Sequence, residues 1–488
     1  MADLYKKLSE ERKLLQDQGE IPMWYTTSGW QLFKDKYQFQ NQTVKQTFRR
    51  ISDAAAKHLT QHGLDADEWS EKFFQLFWKG WLSPATPVLS NMGTDKGLTV
   101  SCSGSVVPDS VYGFYESYLE AAMLTKNGFG TSGYLGNIRP RGSKISTGGK
   151  SSGVKPVIKH FVQDMQTVTQ GTQRRGAFAS YIEIDHADFD EVADLIQHEP
   201  DDLNIGWIVS DKFIKKLQKG NKEATRRYKK VMKTKMLTGK GYFFFSDKAN
   251  RHAPKIYKDQ NLKIEASNLC SEIFLHSDEN HTFTCVLSSM NLVWYDDWKD
   301  TDAPFVATVF LDCVAEEFIQ SAKSIKGLEK AVRFTEKGRA LGLGVCGFHT
   351  YTQQKGWAFE GFDTHLWNIE AFKNISEKAL SASQWMATVM GEPEWCKGYG
   401  TRNTHNMAIA PTKSCVSGDT EFKLPDETVI SYDTLLANNN LSNITDIKLL
   451  LEDGNTKIFK YDDIVNVTRL GITYQIYAYE IQDGDDLI

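Results

Sequence analysis

Three residue types that can act together on a hydroxyl-bearing substrate occur close together in the stretch "ASNLCSEIFL". Asn268, Cys270 and Glu272 lie at positions i, i+2 and i+4. In an extended segment this spacing places all three side chains on the same side. The carboxylate can take a hydroxyl proton, the amide can orient hydroxyls, and the thiol can exchange a hydrogen atom or an electron pair. The alternative is a turn that contains a buried cysteine.

Two further cysteines, Cys102 in "TVSCSGSVVPDS" and Cys285 in "HTFTCVLSSMNL", also lie in polar contexts. The chain has 7 cysteines, an odd number, scattered without a C-x-x-C pair. This pattern fits neither a secreted disulfide scaffold nor a zinc site, so we expect a reducing compartment and no bound metal. The remaining thiols before Cys415 are interpreted as core or surface residues: Cys313, Cys346 and Cys396.

The composition is that of a globular protein. The 488 residues are 41% hydrophobic and 24% charged, enough for two or three domains. The sequence has no apolar run of membrane-spanning length, and its charged N-terminus is not a signal peptide, so we expect a soluble, cytoplasmic protein that binds no membrane. The net charge of −5 gives no electrostatic argument for a nucleic-acid partner.

The elements that must position these residues are of both types. Helical spacing of apolar residues occurs in "SEERKLLQDQGE", "SVYGFYESYLEAAMLTKNG" and "FVATVFLDCVAEEFIQSAKSIKG". The apolar runs "GYFFFS" and "LGLGVCGF" predict buried strands beside glycine. Alternating helices and strands favour an α/β layered or barrel architecture behind a helical N-terminal region.

The composition changes at Cys415. All 12 Trp, all 11 Met and all 11 His precede this residue, and the last 74 residues carry 5 Lys+Arg against 14 Asp+Glu. Alternating β-branched and aromatic residues in "TKIFKYDDIVNVT" and "GITYQIYAYEIQDGDD" predict a small all-β module. A step of this kind marks a module boundary.

Several motifs together resemble a known family. "SPATPVLSNMGT…SCSGS…DS", "QGTQRRGAF", "SNLCSEI", "FTCVLSSMNL" and "APTKS" occur in the order and spacing of the large catalytic subunit of class I ribonucleotide reductase, from about Tyr25 to Ser414. The resemblance implies the first part of the ten-stranded α/β reductase barrel. The implied domains are a helical region leading into the reductase fold at 1–130, an incomplete barrel at 131–414, and a separate module at 415–488.

The resemblance also implies the roles of the reacting residues. Cys270 would be the transient thiyl radical that abstracts the 3′ hydrogen of the ribose, and Glu272 the base on the 3′ hydroxyl. Asn268 would hydrogen-bond the substrate hydroxyls. Cys102 and Cys285 would deliver two electrons and end as a disulfide, which is the number needed to replace a C2′ hydroxyl by hydrogen.

Two binding sites are implied in the same way. The substrate diphosphate would lie on hydroxyls and backbone N–H groups, at Thr86, Ser101, Gly130, Pro411, Thr412, Lys413 and Ser414. Helix capping is the simpler interpretation of "TP" or "PTKS" taken alone. A nucleotide effector that selects the base to be reduced would contact Asp109, Ser110 and Arg139. The loop "TQGTQRRGAF", with Gln170 and Arg174, would pass its signal to the substrate base. The alternative for this polar loop is a solvated linker.

The stretch "CVSGDTEFKLPDETVISYDTLL" resembles the start of an intein. In that family the Cys415 thiol would attack the Ser414 carbonyl and convert the peptide bond to a thioester. The alternative is a surface hairpin with an incidental cysteine. The expected histidine and terminal His-Asn of a complete intein do not follow, so we expect a partial all-β, Hint-type module. The chain would then be a precursor, inactive until trans-splicing joins it to a basic partner fragment.

Further partners follow from the resemblance. We expect a metal-containing small subunit as the source of the radical, thioredoxin or glutaredoxin as reductant, ATP and dNTP effectors, nucleoside diphosphate substrates, and a homodimer after splicing. This chain itself is expected to bind no cofactor. Two alternatives remain: a fragment of the adenosylcobalamin-dependent class II enzyme, and a nucleotide-binding remnant whose only activity is splicing.

Overall fold

The computed structural model describes residues 2–168, 176–200 and 203–411, together with six short strands between 421 and 478. Two compact units are distinguished, Gln46–Pro411 and a second that comprises Met1–Lys45 and Thr412–Ile488. In the second unit, the N-terminal segment has helices α1 (Ala2–Asp17) and α2 (Thr27–Leu32), with a π-helical turn at Phe33–Tyr37. Thr26 begins α2 by accepting a hydrogen bond from the Gly29 N–H at 3.0 Å.

Gln46–Pro411 contains most of the helices; α3 begins just before it. They are α3 (Val44–Lys57), α4 (Ala66–Trp78), α5 (Thr86–Asn91), α6 (Val111–Lys126), α7 (Val154–Thr167), α8 (Phe189–His198), α9 (Asp211–Gln218), α10 (Lys222–Thr238), α11 (Ser246–His252), α12 (Lys255–Asp259), α13 (Tyr295–Trp298), α14 (Ala303–Ala322), α15 (Glu329–Gly338), α16 (Phe348–Gln354) and α17 (Phe362–Met390). The three segments with helical apolar spacing are therefore confirmed as α1, α6 and α14. Of the helices in the described part of the chain, none has both the length and the apolar character needed to cross a bilayer.

One mixed sheet of eight strands organises this unit. Its strands are β1 (Leu82–Pro84), β2 (Cys102–Val106), β3 (Gly130–Tyr134), β4 (Phe178–Glu183), β5 (Asn204–Ile208), β6 (Tyr242–Phe244), β7 (Phe283–Asn291) and β8 (Leu341–Cys346). Strands β2 to β6 are parallel neighbours in sequence order, joined by crossover helices. The long strand β7 pairs antiparallel with β1 and β2 and parallel with β8.

The side chains of β4 show which core each face of the sheet contacts. Phe178 and Ile182 pack into the core beneath helices α6 to α10, whereas Ala179 and Tyr181 belong to the core that contains Cys102 and Cys285. Successive side chains alternate between the faces of a strand, so one face holds the crossover helices and the other presents the thiols. The predicted α/β architecture is confirmed for this part of the chain. The predicted boundary between residues 130 and 131 falls within β3, so the sheet takes strands from both sides of it.

The strands predicted from apolar runs differ in burial. All but the last residue of β8 is buried, as predicted, because β8 is covered on one side by β7 and on the other by residues 406–408. In β6 only Phe244 is buried, and Tyr242 is exposed. The prediction of a buried strand is therefore wrong for most of β6, because the strand lies at the end of the sheet and pairs only with β5.

A buried charge network fixes the segment that leads to Pro411. Asp312 on α14 accepts hydrogen bonds from Arg339 Nε at 2.8 Å, Arg402 Nε at 2.9 Å and Asn403 Nδ2 at 2.9 Å. Burial raises the pKa of Asp312, but the charges of Arg339 and Arg402 outweigh it and hold this pKa below its usual range. The carboxylate therefore stays ionised and joins two parts of the chain that are distant in sequence.

Beyond Pro411, the described residues form six strands in three antiparallel pairs. They are β9 (Glu421–Lys423) with β10 (Val429–Ser431), β11 (Asp446–Leu450) with β12 (Thr456–Lys460), and β13 (Ile464–Leu470) with β14 (Thr473–Ala478). These strands are the described part of the last 74 residues, and the all-β character of the whole stretch stays a prediction. Their assignment to an intein module stays a prediction.

Candidate active site

Cys102 and Cys285 lie directly opposite each other on neighbouring strands. Cys102 is the first residue of β2, and the antiparallel register pairs it with Cys285 of β7. Opposed residues in such a pair have Cα atoms about 4.5–5.5 Å apart, within the range of about 4.4–6.8 Å that a disulfide bridges. Both residues are buried, and both thiols are in the reduced state. The pair can therefore release two electrons by closing to a disulfide without moving the strands.

The electrostatics of Cys285 show which groups surround it. Burial raises the pKa of this thiol well above its usual value, and a hydrogen bond with the Cys102 thiol raises it further. The charged forms of Cys102, Glu272 and Cys270 act in the same direction. Cys285 is therefore a protonated thiol at neutral pH, and the three predicted cysteines meet around one place.

The segment that carries Cys270 is a tight turn, and the predicted extended conformation is wrong. Ser271 has a left-handed backbone with φ of +65°, and its N–H donates to the Asn268 carbonyl at 3.1 Å. The buried Asn268 side chain accepts from the N–H groups of Glu272 at 3.0 Å and Ile273 at 3.1 Å. These local hydrogen bonds compete with an extended strand and define the turn. The alternative interpretation is therefore right about the turn and wrong about burial, because Cys270 lies exposed in it.

Glu272 has one satisfied and one unsatisfied carboxylate oxygen. Asn268 Nδ2 donates to Oε1 at 2.7 Å, while Oε2 is buried and has no hydrogen-bond partner among the described residues. Burial raises the pKa of Glu272, although the hydrogen bonds from Asn268 and its own backbone oppose this shift. A buried carboxylate oxygen with a raised pKa and a free lone pair is suited to accept a proton from a substrate hydroxyl.

Side chains from the sheet hold the turn in place by hydrogen bonds to its backbone. The Tyr181 hydroxyl on β4 donates to the Asn268 carbonyl at 2.7 Å, and the Ser132 hydroxyl on β3 donates to the Ser267 carbonyl at 2.8 Å. Ser267 in turn donates to the Ile273 carbonyl at 2.7 Å, across the base of the turn. The turn is thus anchored to β3 and β4, the two strands that follow β2 in the sheet, and this fixes where Cys270 lies.

The predicted phosphate-binding residues lie in different settings. Ser101 is buried, and its carbonyl accepts from the Gly130 N–H at 2.8 Å, next to Cys102. A Cβ atom on Gly130 would lie 2.8 Å from Leu269 Cδ2, so glycine allows the Cys270 turn to approach β3. Thr86 is the exposed first residue of α5. Pro411 is exposed, while Thr412, Lys413 and Ser414 lie outside the described residues.

A cavity of about 510 Å³ opens beside the reacting groups and is lined by both Glu272 and Cys285. Its wall is largely apolar, with Phe243, Phe245 and Phe274 contributing aromatic rings. A concave, mostly apolar pocket with a few polar groups is typical of small-molecule sites. Sequence reasoning missed these aromatic residues; only the run "GYFFFS" drew attention to two of them, and as strand residues.

The predicted effector residues are brought together in part. Arg139 Nε donates to the Asp109 carboxylate at 2.6 Å, and Ser110 caps α6 by accepting from the Gly113 N–H at 2.9 Å. Ser110 is therefore the N-cap of α6, a role that the sequence analysis did not assign to it. Gln170 and Arg174 lie outside the described residues, so their predicted role stays a prediction.

Two domains of a known enzyme family match the part of the chain that forms this site. The sequence profile "Ribonucleotide reductase, barrel domain" matches residues 100–228 and 218–396, and "Ribonucleotide reductase, all-alpha domain" matches residues 23–97. The chain belongs to the ribonucleotide reductase large-subunit family. The matched reductase residues all precede Cys415, which itself lies outside the described residues.

Individual reductases give the same result. A solved class Id ribonucleotide reductase alpha subunit from Actinobacillus ureae is 37% identical, with a TM-score of 0.76 over 86% of this chain and 79% of that one. A putative ribonucleoside-diphosphate reductase large subunit of Frog virus 3 is 30% identical over 70% of this chain and 64% of its own length. The large subunit of Invertebrate iridescent virus 3 is 26% identical, over 80% and 72%. The chain thus spans about two thirds of these viral relatives.

Proposed function

We propose that this chain supplies the reacting groups of a ribonucleoside-diphosphate reductase, which converts nucleoside diphosphates to their 2′-deoxy forms. The single observation that carries this proposal is that four groups lie together. They are the buried thiols of Cys102 and Cys285, which face each other on paired strands, the exposed Cys270, and the Glu272 carboxylate, whose Oε2 has no hydrogen-bond partner among the described residues. A remnant without turnover would have no need to keep Glu272 Oε2 buried and unpaired beside three thiols.

In the proposed reaction Cys270 acts first and last. As a thiyl radical it takes the hydrogen atom from C3′, while Glu272 accepts the proton of the 3′ hydroxyl. The C2′ hydroxyl then leaves as water, and Cys102 and Cys285 supply two electrons and two protons as they close to a disulfide. Cys270 returns its hydrogen atom to C3′. The sum balances: one C–O bond and two S–H bonds become one C–H bond, one S–S bond and water.

The partners and effectors of the proposed reductase are also proposals. A metal-containing small subunit would supply the radical, thioredoxin or glutaredoxin would reduce the disulfide, and nucleotide effectors would act near Asp109 and Arg139. The spliced subunit would form a homodimer. The adenosylcobalamin-dependent alternative is not favoured: a vitamin B12-dependent reductase of Mycobacterium tuberculosis is 26% identical over 75% of this chain, against 37% for the class Id structure.

The test is to replace cysteines one at a time in the spliced subunit, assayed with its small subunit and reductant. Cys270→Ser should abolish deoxynucleotide formation while nucleoside diphosphate binding is retained. Cys102→Ser should stop multiple turnover. Cys346→Ser, at a half-buried thiol with no proposed role, is the matched control and should remain active. Turnover by the Cys270→Ser variant would reject the radical role.

We further propose that Cys415 begins the N-terminal fragment of a split intein. The support is the "CVSGDT" motif, the absence of Trp, Met and His after it, and the excess of 14 Asp+Glu over 5 Lys+Arg, which suits a basic partner. Mixing the chain with that partner should give a ligated product without residues 415–488, detected by mass spectrometry. Cys415→Ala should block it, and ligation by this variant would contradict the proposal.

A further inference from the structure

Three metal-ligating side chains meet between the Cys270 turn and β7. His276, Asp278 and His281 each offer one ligand atom, and these atoms all lie within 4.8 Å of one another. Asp278 Oδ2 is 3.2 Å from His276 Nε2, and Asp278 Oδ1 is 2.9 Å from His281 Nδ1. Ligand atoms about 2.1 Å from one metal, at tetrahedral or octahedral angles, are themselves about 3.0–3.4 Å apart. The two histidine–aspartate contacts are therefore close to the spacing that a metal imposes, and the two histidine nitrogens, which lie within 4.8 Å of each other, would have to approach only slightly.

The tautomer of His276 is fixed by its other nitrogen. His276 Nδ1 lies 2.7 Å from the Lys263 carbonyl oxygen, which can only accept, so Nδ1 carries a hydrogen. In the neutral ring Nε2 then presents a lone pair, and it faces the Asp278 carboxylate, which also only accepts. Two hydrogen-bond acceptors that face each other at 3.2 Å leave a place for a cation between them. A backbone carbonyl behind the far nitrogen is also the usual support of a histidine that binds metal.

The cluster is buried on the His276 side and open to solvent on the Asp278 side. His276 is 5% exposed, and the Trp395 ring lies 5.7 Å from the His276 ring and 5.2 Å from the His281 ring. Asp278 has 43% of its side chain exposed, which leaves a path from solvent. Two basic side chains near the cluster have partners of their own. Lys337, whose charge acts on His281, is paired with Glu394 at 2.9 Å. Arg333 donates a hydrogen bond to the Asn280 carbonyl.

We propose that His276, Asp278 and His281 bind one divalent transition-metal ion, with Zn²⁺ the best match, and that water completes its coordination from the Asp278 side. Two imidazole nitrogens and one carboxylate suit zinc, cobalt, nickel or ferrous iron. Calcium and magnesium prefer oxygen ligands alone. The site is separate from the reacting thiols, and the proposal does not depend on the reductase activity.

The proposed ion has a structural consequence. Residues 273–282 connect the turn that carries Cys270 and Glu272 to the strand that carries Cys285. A metal that joins the two ends of His276–His281 would restrain this connection from outside the cavity. The expectation from the sequence, that the chain binds no metal, rested on cysteine spacing and did not consider the H-x-D-x-x-H pattern.

The experiment titrates Co²⁺, and then competing Zn²⁺, into the full chain with Cys102 and Cys285 oxidised and the remaining accessible thiols alkylated. One equivalent of Co²⁺ should bind with visible d–d absorption and without thiolate-to-cobalt charge transfer. Asp278→Asn and His281→Ala should each weaken binding by about 100-fold or more, whereas His365→Ala, at an exposed histidine on α17, should not change it. Equal affinity in all four proteins would overturn the proposal.

A second measurement does not depend on how the variants fold. In the unaltered chain, ¹⁵N shifts of the histidine rings should show His276 Nε2 and His281 Nδ1 perturbed when Zn²⁺ is added, with the hydrogen retained on His276 Nδ1. A ring of His276 that is doubly protonated and unaffected by Zn²⁺ would identify an imidazolium–carboxylate pair and reject the metal site.

Discussion

Cys102 and Cys285 are held by the backbone ladder of a sheet, whereas Cys270 is held by a turn that depends on side chains. In the first region the register of β2 against β7 brings the two thiols together, and burial keeps Cys285 protonated. In the second region the Asn268 side chain organises the turn, and Cys270 is exposed. The difference suits the two roles proposed above, because a dithiol must close reproducibly and a hydrogen-abstracting thiol must reach its substrate.

This contrast also suggests which region tolerates change. A strand pair is supported by several backbone hydrogen bonds, so the loss of one side chain leaves its geometry in place. A turn organised by one amide loses its geometry when that amide is removed. Substitutions near Cys270 should therefore affect activity more than equally conservative ones along β2 and β7.

The largest expected effect is in thiol reactivity. In the reduced native chain, iodoacetamide should modify Cys270 at least about 100-fold faster than Cys285, because thiolate is the reactive form and burial raises the pKa of Cys285. Peptide mass spectrometry at timed intervals measures both rates. In denaturant the two rates should become similar. Equal rates in the native chain would remove the distinction between the two regions.

The next effect is on the turn itself. Asn268→Ala removes the acceptor for two backbone N–H groups, one of them buried, and should lower the free energy of unfolding by about 2–3 kcal/mol. Urea unfolding of the variant and of Asn137→Ala, at an exposed turn residue, measures the difference. A loss no greater than that of the Asn137 variant would show that the backbone alone makes the turn.

A smaller effect should come from the contact between the two regions. Gly130→Ala places a Cβ atom 2.8 Å from Leu269 Cδ2 and should displace the Cys270 turn, lowering turnover of the spliced enzyme by about tenfold. The same Cβ is 3.6 Å from Leu269 Cβ, so adding Leu269→Ala should restore part of the rate. No recovery in the double variant would contradict this account.

The smallest effect is a pH dependence of stability due to Glu272. Burial raises the pKa of this carboxyl above the ordinary value of 4.5, so the folded chain binds its proton more tightly than the unfolded chain does. Its contribution to stability is therefore greatest below pH 4.5, falls as pH rises from there through the raised pKa, and is constant above it. Urea unfolding against pH, for the chain and for Glu272→Gln, should show this fall only in the former.

Sequence reasoning recovered the α/β class and the main helices because apolar periodicity is a local signal. It also named the three cysteines that the structure brings together. Its prediction of an extended segment at Cys270 was wrong, since a spacing of i, i+2, i+4 does not reveal that the Asn268 side chain will accept hydrogen bonds from the N–H groups of Glu272 and Ile273. The aromatic wall of the cavity was missed because the fold brings Phe274 to Phe243 and Phe245. The histidine–aspartate cluster is local in sequence, and it was missed because the metal prediction rested on cysteine spacing alone.

The register of Cys102 against Cys285 makes the stability of the protein depend on whether these two thiols are reduced or joined in a disulfide. A disulfide at this position would close a loop of roughly 180 residues, which in the chain-entropy account adds about 5 kcal/mol to the stability of the folded state. The oxidised protein should therefore melt at a higher temperature than the reduced one. In the proposed reaction, every catalytic cycle would raise the free energy of unfolding, and each re-reduction would lower it again.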